Sequence, residues 1–248
     1  MTIYGDFHTH TKYSHGKGTV EENVKEAALK GLKSIAITDH GLSHIVFGLR
    51  RKKIEKLKKD IENIKDKYDI NILMGVEANI TGLSGKIDLK PSDYDMFDVV
   101  LMGFHKCVYP DSAKDFFKFF FKNYFNKNSA SNSTLRDNTN AFVNAIKNNK
   151  VDVLTHINHH IMVDCKEIAK VCADYGTLLE INSKRISYSD EQFMEMYDTG
   201  VNFIVNSDAH VPCKVGNFEI ATDFIKRFNI PVSRIANADK LPKFRSKV

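Results

Sequence analysis

The chain has 248 residues, of which 42% are hydrophobic, so it can bury the core of one domain. Its formal net charge of +5 is modest, which is compatible with an anionic small molecule and makes nucleic acid an unlikely partner. No apolar stretch approaches the roughly 20 residues that a bilayer-spanning helix needs, and MTIYGDFHTH has neither a charged leader nor a cleavage site. We therefore expect a cytoplasmic protein without a membrane partner.

Seven short apolar runs predict β-strands, and the segments between them have helical signals. In chain order the runs are TIYGDFHTH, SIAITDH, ILMGVEA, VVLMGFH, VDVLTH, TLLEIN and NFIVNSDAH. Thr19 and Glu22 form a capping box ahead of the first helix, and Gly31 ends it. Later helices are predicted over 139–148, 164–175, 190–197 and 218–228. This alternation favours one α/β domain over residues 1–248, a parallel barrel that closes imperfectly.

The basic stretch from Arg50 to Tyr68 predicts an amphipathic helix. Its apolar residues recur at helical spacing and are Ile54, Leu57, Ile61 and Ile64. Its lysines are therefore best interpreted as a solvated face, with a strand-tracking nucleic-acid groove as the weaker alternative.

One segment, from Asp115 to Asp137, interrupts the alternation as an aromatic-rich insertion. Seven aromatic residues come first: Phe116, Phe117, Phe119, Phe120, Phe121, Tyr124 and Phe125. On a helix they would cover most of the circumference, so we expect either a large core helix or one with a second face for a partner subunit or a substrate. The serine- and asparagine-rich stretch that follows is predicted to be a mobile loop.

Polar residues with metal-binding side chains follow almost every predicted strand. They are His8, His10, His15, Asp39, His40, Glu77, His105, His156, Glu180, Asp208 and His210. Residues two apart on a strand share a face, so His8 and His10 point the same way, as do Asp208 and His210. Parallel strands would bring all of these groups to one end of the barrel. Imidazoles and carboxylates together suit Zn²⁺, Mn²⁺ or Fe²⁺, so the pattern predicts a metal site.

The same residues carry a family resemblance. The motifs D-x-H-x-H (Asp6 to His10), ITDHG, GVEANI, GFH, the histidine after the fifth strand, LEIN and NSDAH resemble, in this order, the PHP superfamily, the polymerase and histidinol phosphatase domain. The closest likeness is to small stand-alone bacterial phosphatases of the YcdX type. The resemblance implies a distorted (β/α)7 barrel, similar to a TIM barrel, that holds about three divalent ions, with Zn²⁺ expected first and Mn²⁺ or Fe²⁺ as alternatives.

Carried over position by position, the resemblance implies nine metal ligands. The first ion would have His8, His10, Glu77 and Asp208; the second would share Glu77 with His105 and His156; the third would have His15, His40 and His210. A carboxylate can join two cations through its two oxygens, which agrees with Glu77 as the bridge. We expect Asp208, Glu77 and His10 to be the catalytic residues.

Other polar groups near the site are less specific. Asp6 and Asp39 could each orient a ligand imidazole or equally serve a turn, and Glu180 could be an interior or substrate-binding group. His44, His159 and His160 are predicted to be loop histidines outside the ligand set. Three cations follow site strands directly and could bind substrate phosphate, although a surface role is an alternative for each: Lys106, Lys184 and Arg185.

The predicted function is hydrolysis of a small phosphorylated metabolite, a phosphate monoester, by a metal-activated hydroxide at a trinuclear site. A metal-dependent nuclease would use the same cluster on a phosphodiester and need a basic groove. A non-enzymatic metal-dependent binding or regulatory module would be favoured only if ligands were missing. The aromatic segment also predicts a homo-oligomer, for which the resemblance makes a trimer reasonable.

Overall fold

Seven short strands form one parallel sheet and pair in chain order. The structure, a computed structural model, describes residues 1–125 and 130–244. The strands are β1 (Gly5–Asp6), β2 (Ser34–Ile37), β3 (Asn71–Asn79), β4 (Val99–Gly103), β5 (Val153–Leu154), β6 (Leu178–Asn182) and β7 (Phe203–Asn206). Each coincides with one of the predicted apolar runs.

The sheet curls into a nearly closed barrel. Beyond the ends of β1 and β7, Thr9 and Ala209 form a parallel bridge, and the His10 N–H donates to the Ala209 carbonyl at 2.8 Å. The predicted fold class, a single-domain distorted parallel (β/α)7 barrel, is confirmed.

Eight α-helices occur within the described residues. They are α1 (Val20–Leu29), α2 (Arg51–Ile64), α3 (Ala113–Asp115), α4 (Lys122–Phe125), α5 (Asn132–Asn148), α6 (Cys165–Tyr175), α7 (Asp190–Tyr197) and α8 (Glu219–Arg227). Between β3 and β4 a 3-10 turn, Pro91–Met96, replaces an α-helix, which contributes to the distortion of the barrel. None of the helices in the described ranges is long and apolar enough to cross a bilayer.

Two predicted helix features are confirmed. The Thr19 hydroxyl accepts from the Glu22 N–H at 3.1 Å while Glu22 accepts from the Thr19 N–H at 2.7 Å, which is the capping box of α1. In α2 the four apolar residues of the predicted stripe are buried, so its lysines form the outer face.

The core has an inner and an outer part. Alternate strand residues such as Ala36 and Leu101 fill the barrel, where Phe7 packs against Phe244 with ring centroids 5.1 Å apart. The residues between them point outward and pack under the helices. This alternation is why the polar residues at the strand ends can share one side of the sheet.

The aromatic segment is helical with an inner and an outer face. A π-helix, Phe116–Phe121, joins α3 to α4. Its Phe119 and Phe120 are buried against Phe104, with ring centroids 5.3 and 5.6 Å apart. Phe116, Phe117, Phe121 and Tyr124 remain exposed. The segment therefore combines a core contact with an uncovered aromatic surface.

The predicted mobile loop after this segment is wrong from residue 132 onward. Helix α5 begins at Asn132, seven residues before the predicted start, because the Ser131 hydroxyl caps it by accepting from the Thr134 N–H at 3.3 Å. Buried Asn138, in the second turn, anchors the helix by exchanging hydrogen bonds with Asn123. Residues 126–129 of the predicted loop lie outside the described residues.

Candidate metal centre

The carboxyl ends of the strands bring the predicted ligands to one end of the barrel. His8 and His10 follow β1, His40 follows β2, His105 follows β4, His156 follows β5, and Asp208 and His210 follow β7, while Glu77 lies within β3. Most are buried; His105 and His210 are partly buried, and His15 is exposed.

Glu77 is the centre of the cluster. Its Oε1 lies 2.8 Å from His156 Nε2 and 3.4 Å from His8 Nε2. Its Oε2 lies 3.0 Å from His40 Nδ1, 3.4 Å from His105 Nε2 and 3.6 Å from His10 Nε2. Each oxygen of this fully buried carboxylate therefore has its own group of imidazole nitrogens nearby. A carboxylate that bridges two cations would have this arrangement.

The spacing of His8, His10 and Asp208 fits a single cation. The two Nε2 atoms are 3.1 Å apart, and Asp208 Oδ1 lies 3.7 Å from that of His8 and 3.5 Å from that of His10. Ligands about 2.1 Å from a tetrahedral metal lie about 3.4 Å from one another. The three distances are close to that separation, and Glu77 Oε1 lies 3.4 Å from His8 Nε2.

Four groups of three residues have potential ligand atoms within 4.8 Å of one another. They are His8, Glu77 and His156; His8, His10 and Asp208; His40, Glu77 and His105; and His10, His40 and His210. The second group belongs to the expected first set. The others divide the residues differently from the expected second and third sets, since His8 joins His156 and His40 joins His105.

His15 is in none of these groups of described residues. Its ring nevertheless lies 4.6 Å from that of His210 and stacks on Phe47 at 4.5 Å, so it stands at the edge of the cluster. His44 is also outside the groups, and its Nδ1 accepts from the Phe47 N–H at 3.2 Å.

Two positioning residues that the sequence analysis did not assign fix the imidazole tautomers. His8 Nδ1–H donates to Glu180 at 2.7 Å, and His105 Nδ1–H donates to Asn79 Oδ1 at 2.7 Å. The Asn79 amide is oriented in turn by its donation to Asp88 at 2.6 Å. Each contact leaves the Nε2 lone pair directed into the cluster, which a metal ligand requires. The strand positions of Glu180 and Asn79 are the signal that could have identified them.

Asp6 and Asp39 hold loops, and among the described residues neither forms a hydrogen bond with the ring of a proposed ligand. Asp6 accepts from the Ser207 hydroxyl at 2.5 Å and from the Gly216 N–H at 2.9 Å. Asp39 accepts from the Thr11 N–H at 2.7 Å and from the Ser14 hydroxyl. Of the two roles expected for these residues, the structure favours the turn role.

Three buried polar atoms within the cluster have no hydrogen-bond partner among the described residues: His10 Nδ1, His40 Nδ1 and Glu77 Oε2. Although the last two are 3.0 Å apart, they lack the angles of a hydrogen bond. An unsatisfied buried polar group costs about 1–3 kcal/mol. A bound cation would satisfy His40 Nδ1 and Glu77 Oε2, whereas His10 faces the cluster with its other nitrogen, Nε2. The two acceptors therefore fit a metal site.

Burial and mutual contact shift the pKa values of several residues in the cluster. Burial opposes ionisation of Glu77, yet the surrounding histidines, His105 and His8 foremost, hold its pKa well below the ordinary value. Burial, together with the neighbouring His10 and His105, lowers the pKa of His40 well below its usual value. Burial and His10 likewise lower the pKa of His210 to about 3. At His8 and His156 burial also favours the neutral ring, but the neighbouring carboxylates, Glu180 and Glu77 foremost, outweigh it and raise the pKa of both histidines above the ordinary value. A bound cation would displace the protons of these two rings, because metals bind neutral imidazoles and ionised carboxylates.

A cavity of about 460 Å³ opens above the cluster. The three predicted substrate-binding cations, Lys106, Lys184 and Arg185, all line it. Lys184 Nζ lies 3.4 Å from Asp208 Oδ2 and 3.1 Å from His210 Nδ1, and Lys106 Nζ lies 5.2 Å from the Tyr124 ring centroid. Arg185 contacts the His159 ring, with Nη1 3.1 Å from Nε2.

Comparison with known proteins identifies relatives along nearly the whole chain. The sequence model of the PHP domain family matches residues 6–184. A protein of Thermoanaerobacter sp. (strain X514) named "Probable phosphatase" is 31% identical over 255 residues, covering 96% of this chain and 92% of the relative. One of the same name from Shewanella sp. (strain ANA-3) is 29% identical, covering 94% and 86%.

Among solved structures, the fold is similar to that of histidinol phosphate phosphatase from Lactococcus lactis. That protein was solved with zinc, L-histidinol and phosphate. The TM-score is 0.63 at 16% identity, and the match covers 98% of this chain and 97% of the other. This likeness bears on the fold.

Proposed function

The chain belongs to the PHP domain family, and from that premise we propose that it is a metal-dependent phosphatase acting on phosphate monoesters of small molecules. The observation that carries the proposal is the position of Glu77, a buried carboxylate with imidazole nitrogens from five histidines within 3.6 Å of its oxygens. Relatives named as probable phosphatases support the reaction class.

We propose about three divalent ions per chain, with Zn²⁺ favoured and Mn²⁺ or Fe²⁺ as alternatives, because the donor set is rich in imidazole. The nine proposed ligands are His8, His10, His15, His40, Glu77, His105, His156, Asp208 and His210. The separations among His8, His10, Glu77 and Asp208 support the first ion, and the two oxygens of Glu77 support a bridge. The ring contact with His210 supports keeping His15 with the third.

When bound, such ions lower the pKa of water towards about 7 and stabilise charge on phosphoryl oxygens. The side chains of the protein would orient the ligands and the substrate. Glu180 keeps the His8 ring in one tautomer. His10 Nε2 lies 3.6 Å from Glu77 Oε2 and 3.5 Å from Asp208 Oδ1, so these three residues would together hold ions that activate water. Lys184, which already contacts Asp208, is placed to neutralise the phosphoryl group.

The cavity supports a small substrate. Its volume falls within the range of about 300–1,000 Å³ that is usual for small-molecule sites. The described residues that line it include none from the basic helix α2, whose lysines were the feature favouring a nuclease. Every proposed ligand is a metal-capable residue, so nothing favours the non-enzymatic alternative.

A homo-oligomer, with a trimer as the expected form, is also proposed. The exposed aromatic side chains of Phe116, Phe117, Phe121 and Tyr124 support it, because a surface of this kind is usually covered by a partner or a ligand.

The test is a metal-quantified activity screen of the purified protein against a panel of phosphate monoesters, a phosphodiester and single-stranded DNA. We expect turnover of monoesters that scales with bound metal. Efficient cleavage of DNA with no monoester turned over would replace the proposal with the nuclease function. Chelator sensitivity alone would not discriminate, because both reactions would use the same ions.

A further inference from the structure

Apart from the proposed metal ligands, the charged side chains that line the cavity are positive: Lys106, Lys184 and Arg185. Among the described residues two carboxylates line it, Glu77 and Asp208, and both contact histidines. Lys184 is engaged by Asp208, but no carboxylate in the described ranges forms an ion pair with Arg185. Its guanidinium rests instead on the His159 ring, with Nη1 3.1 Å from Nε2 and 3.3 Å from Nδ1.

Arg185 stands one side chain farther from the cluster than Lys184 does. The His159 ring separates it from the proposed ligand His156, whose ring centroid is 5.4 Å from that of His159. Lys184 contacts Asp208 directly, at 3.4 Å. The two cations therefore serve different parts of a molecule in the cavity: Lys184 at the reacting phosphoryl group and Arg185 at the group beyond it.

The loops that carry Arg185 and His159 are held in fixed positions. Asn182 Oδ1 accepts from the N–H groups of Lys184 and Arg185, at 2.9 and 3.2 Å. In the other loop, Asn158 and His160 have left-handed backbone, with φ of 64° and 67°, and the His159 N–H donates to the His156 carbonyl at 2.9 Å. Ordered loops of this kind can preorganise a binding site.

The opposite side of the cavity includes two apolar side chains. Val46 and Phe47, from the connection after β2, line it together with Arg185, which follows β6. In the seven-strand ring β2 and β6 are three strands apart through β1 and β7, so the two connections face each other across the opening. A compact apolar or aromatic body between the two ends of a substrate would fit this shape.

We propose that the substrate carries a second anionic group, a carboxylate or a phosphate, and that Arg185 supported by His159 binds it and sets specificity. This inference rests on the proposed function. It narrows the substrate class to phosphate monoesters that carry a second anionic group in addition to the reacting phosphate. A guanidinium recognises either anion through paired N–H donors. An ammonium group at the same place would meet the positive charges of Lys106, Lys184 and Arg185.

The test uses four phosphate monoesters with one aromatic body: phenyl phosphate, 4-carboxyphenyl phosphate, 1,4-phenylene bisphosphate and 4-(aminomethyl)phenyl phosphate. In the metal-loaded protein the ratio of kcat/KM for each substituted ester to that for phenyl phosphate is measured. The variant is Arg185→Gln. The control is Arg227→Gln, which removes the same charge from α8, outside the cavity. Comparing ratios between proteins cancels the intrinsic reactivity of each ester.

We expect the ratio for at least one anionic ester to fall roughly 10- to 100-fold in Arg185→Gln, the loss of one charge-assisted contact. It should be unchanged in Arg227→Gln. The carboxylate and bisphosphate arms identify which anion is bound. Unchanged ratios for both anionic esters in Arg185→Gln, or a preference for the aminomethyl ester, would overturn the inference. Turnover of phenyl phosphate would leave the proposed phosphatase function standing.

A binding measurement separates the two proposals further. Calorimetry gives the Kd of benzylphosphonate and of its 4-carboxy and 4-phosphono analogues, which cannot be hydrolysed. Tighter binding of an anionic analogue that is lost in Arg185→Gln supports the inference even if no ester is turned over, in which case the phosphatase function alone fails. Equal binding of all three analogues would contradict it. Metal content and thermal unfolding of each variant exclude a general loss of structure.

Discussion

Replacing Glu180 by Gln isolates the part that positioning plays in the metal centre. The two side chains have the same shape, and Glu180 is buried and accepts four hydrogen bonds. Its Oε1 accepts from His8 Nδ1 at 2.7 Å and Asn206 Nδ2 at 3.0 Å. Its Oε2 accepts from the His156 N–H at 2.9 Å and Asn182 Nδ2 at 2.8 Å.

Three of these four groups can act only as hydrogen-bond donors to residue 180. The His156 donor is backbone. Both asparagine amides are oriented by backbone N–H groups that donate to their oxygens, Phe7 to Asn206 and Lys184 to Asn182. His8 alone can adapt, by moving its proton from Nδ1 to Nε2.

Because each oxygen of Glu180 accepts two hydrogen bonds, the NH2 group of the introduced Gln would face two donors at either position. At the Oε2 position it would leave the His156 N–H unpaired, and the Asn182 amide would keep only its 3.4 Å contact with Asp208 Oδ2. At the Oε1 position only Asn206 is left unpaired if His8 changes tautomer, so this arrangement is favoured. The cost is about 1–3 kcal/mol for one buried unsatisfied donor. The changed tautomer places a proton on His8 Nε2, where a ligand lone pair is needed, and metal affinity should fall about 10- to 100-fold.

The assay has two parts, denaturant unfolding of the metal-free protein and competition for Zn²⁺ with a chromogenic chelator. Glu55→Gln, an exposed change on α2, is the matched control. Wild-type metal affinity in Glu180→Gln would refute the tautomer argument. Loss of stability alone would show that Glu180 supports the fold without orienting the ligand.

Four further outcomes are expected. Elemental analysis of protein purified without chelator should give about three metals per chain, and Glu77→Gln should lower this by about two, because the bridge touches two ions; a wild-type value below one would contradict the metal reading. His44→Ala should leave metal content unchanged, since its ring is outside every ligand group. Asp208→Ala should reduce monoester turnover to background with the circular dichroism spectrum preserved; residual activity near the wild-type rate would exclude Asp208 from the site. Light scattering should show an oligomer that Phe117→Ser weakens, whereas a micromolar monomer would remove the subunit-contact interpretation.

Much of the fold followed from local patterns. The strand runs are short, apolar and bounded by polar residues, and each helix that was assigned a cap or an apolar stripe is present. The predicted start of α5 is too late because four of the residues from 132 to 137 have weak helix propensity: Asn132, Ser133, Thr134 and Asp137. The first turn is stabilised by the Ser131 cap, and the next turn by the bonds between Asn138 and Asn123. Such tertiary contacts override propensity and are not visible in a local window.

The candidate site was predictable in its members more than in its groupings. Period-two alternation placed His8 and His10 on one face, and their Nε2 atoms do meet, at 3.1 Å. The side on which His40 or His105 approaches Glu77 depends on the curvature of the barrel and on χ angles, which sequence spacing does not determine. The role of Asn79 was not predicted because its amide is not among the expected metal ligands. It instead orients the ring of a proposed ligand, His105.

The candidate metal centre lies across the seam where the barrel closes. On one side are His8 and His10, which follow β1; on the other is Asp208, which follows β7. Regular pairing of β1 with β7 is replaced by the single Thr9–Ala209 bridge and by side chains such as Asn237, whose Nδ2 donates to the Gly5 and Val205 carbonyls at 2.9 and 2.7 Å. An ion held by all three ligands would join the first strand to the last. Because the unfolded chain lacks this geometry, the free energy of ion binding would add to that of barrel closure. The ligands proposed for catalysis would therefore also stabilise the closure of the barrel, where regular strand pairing is incomplete.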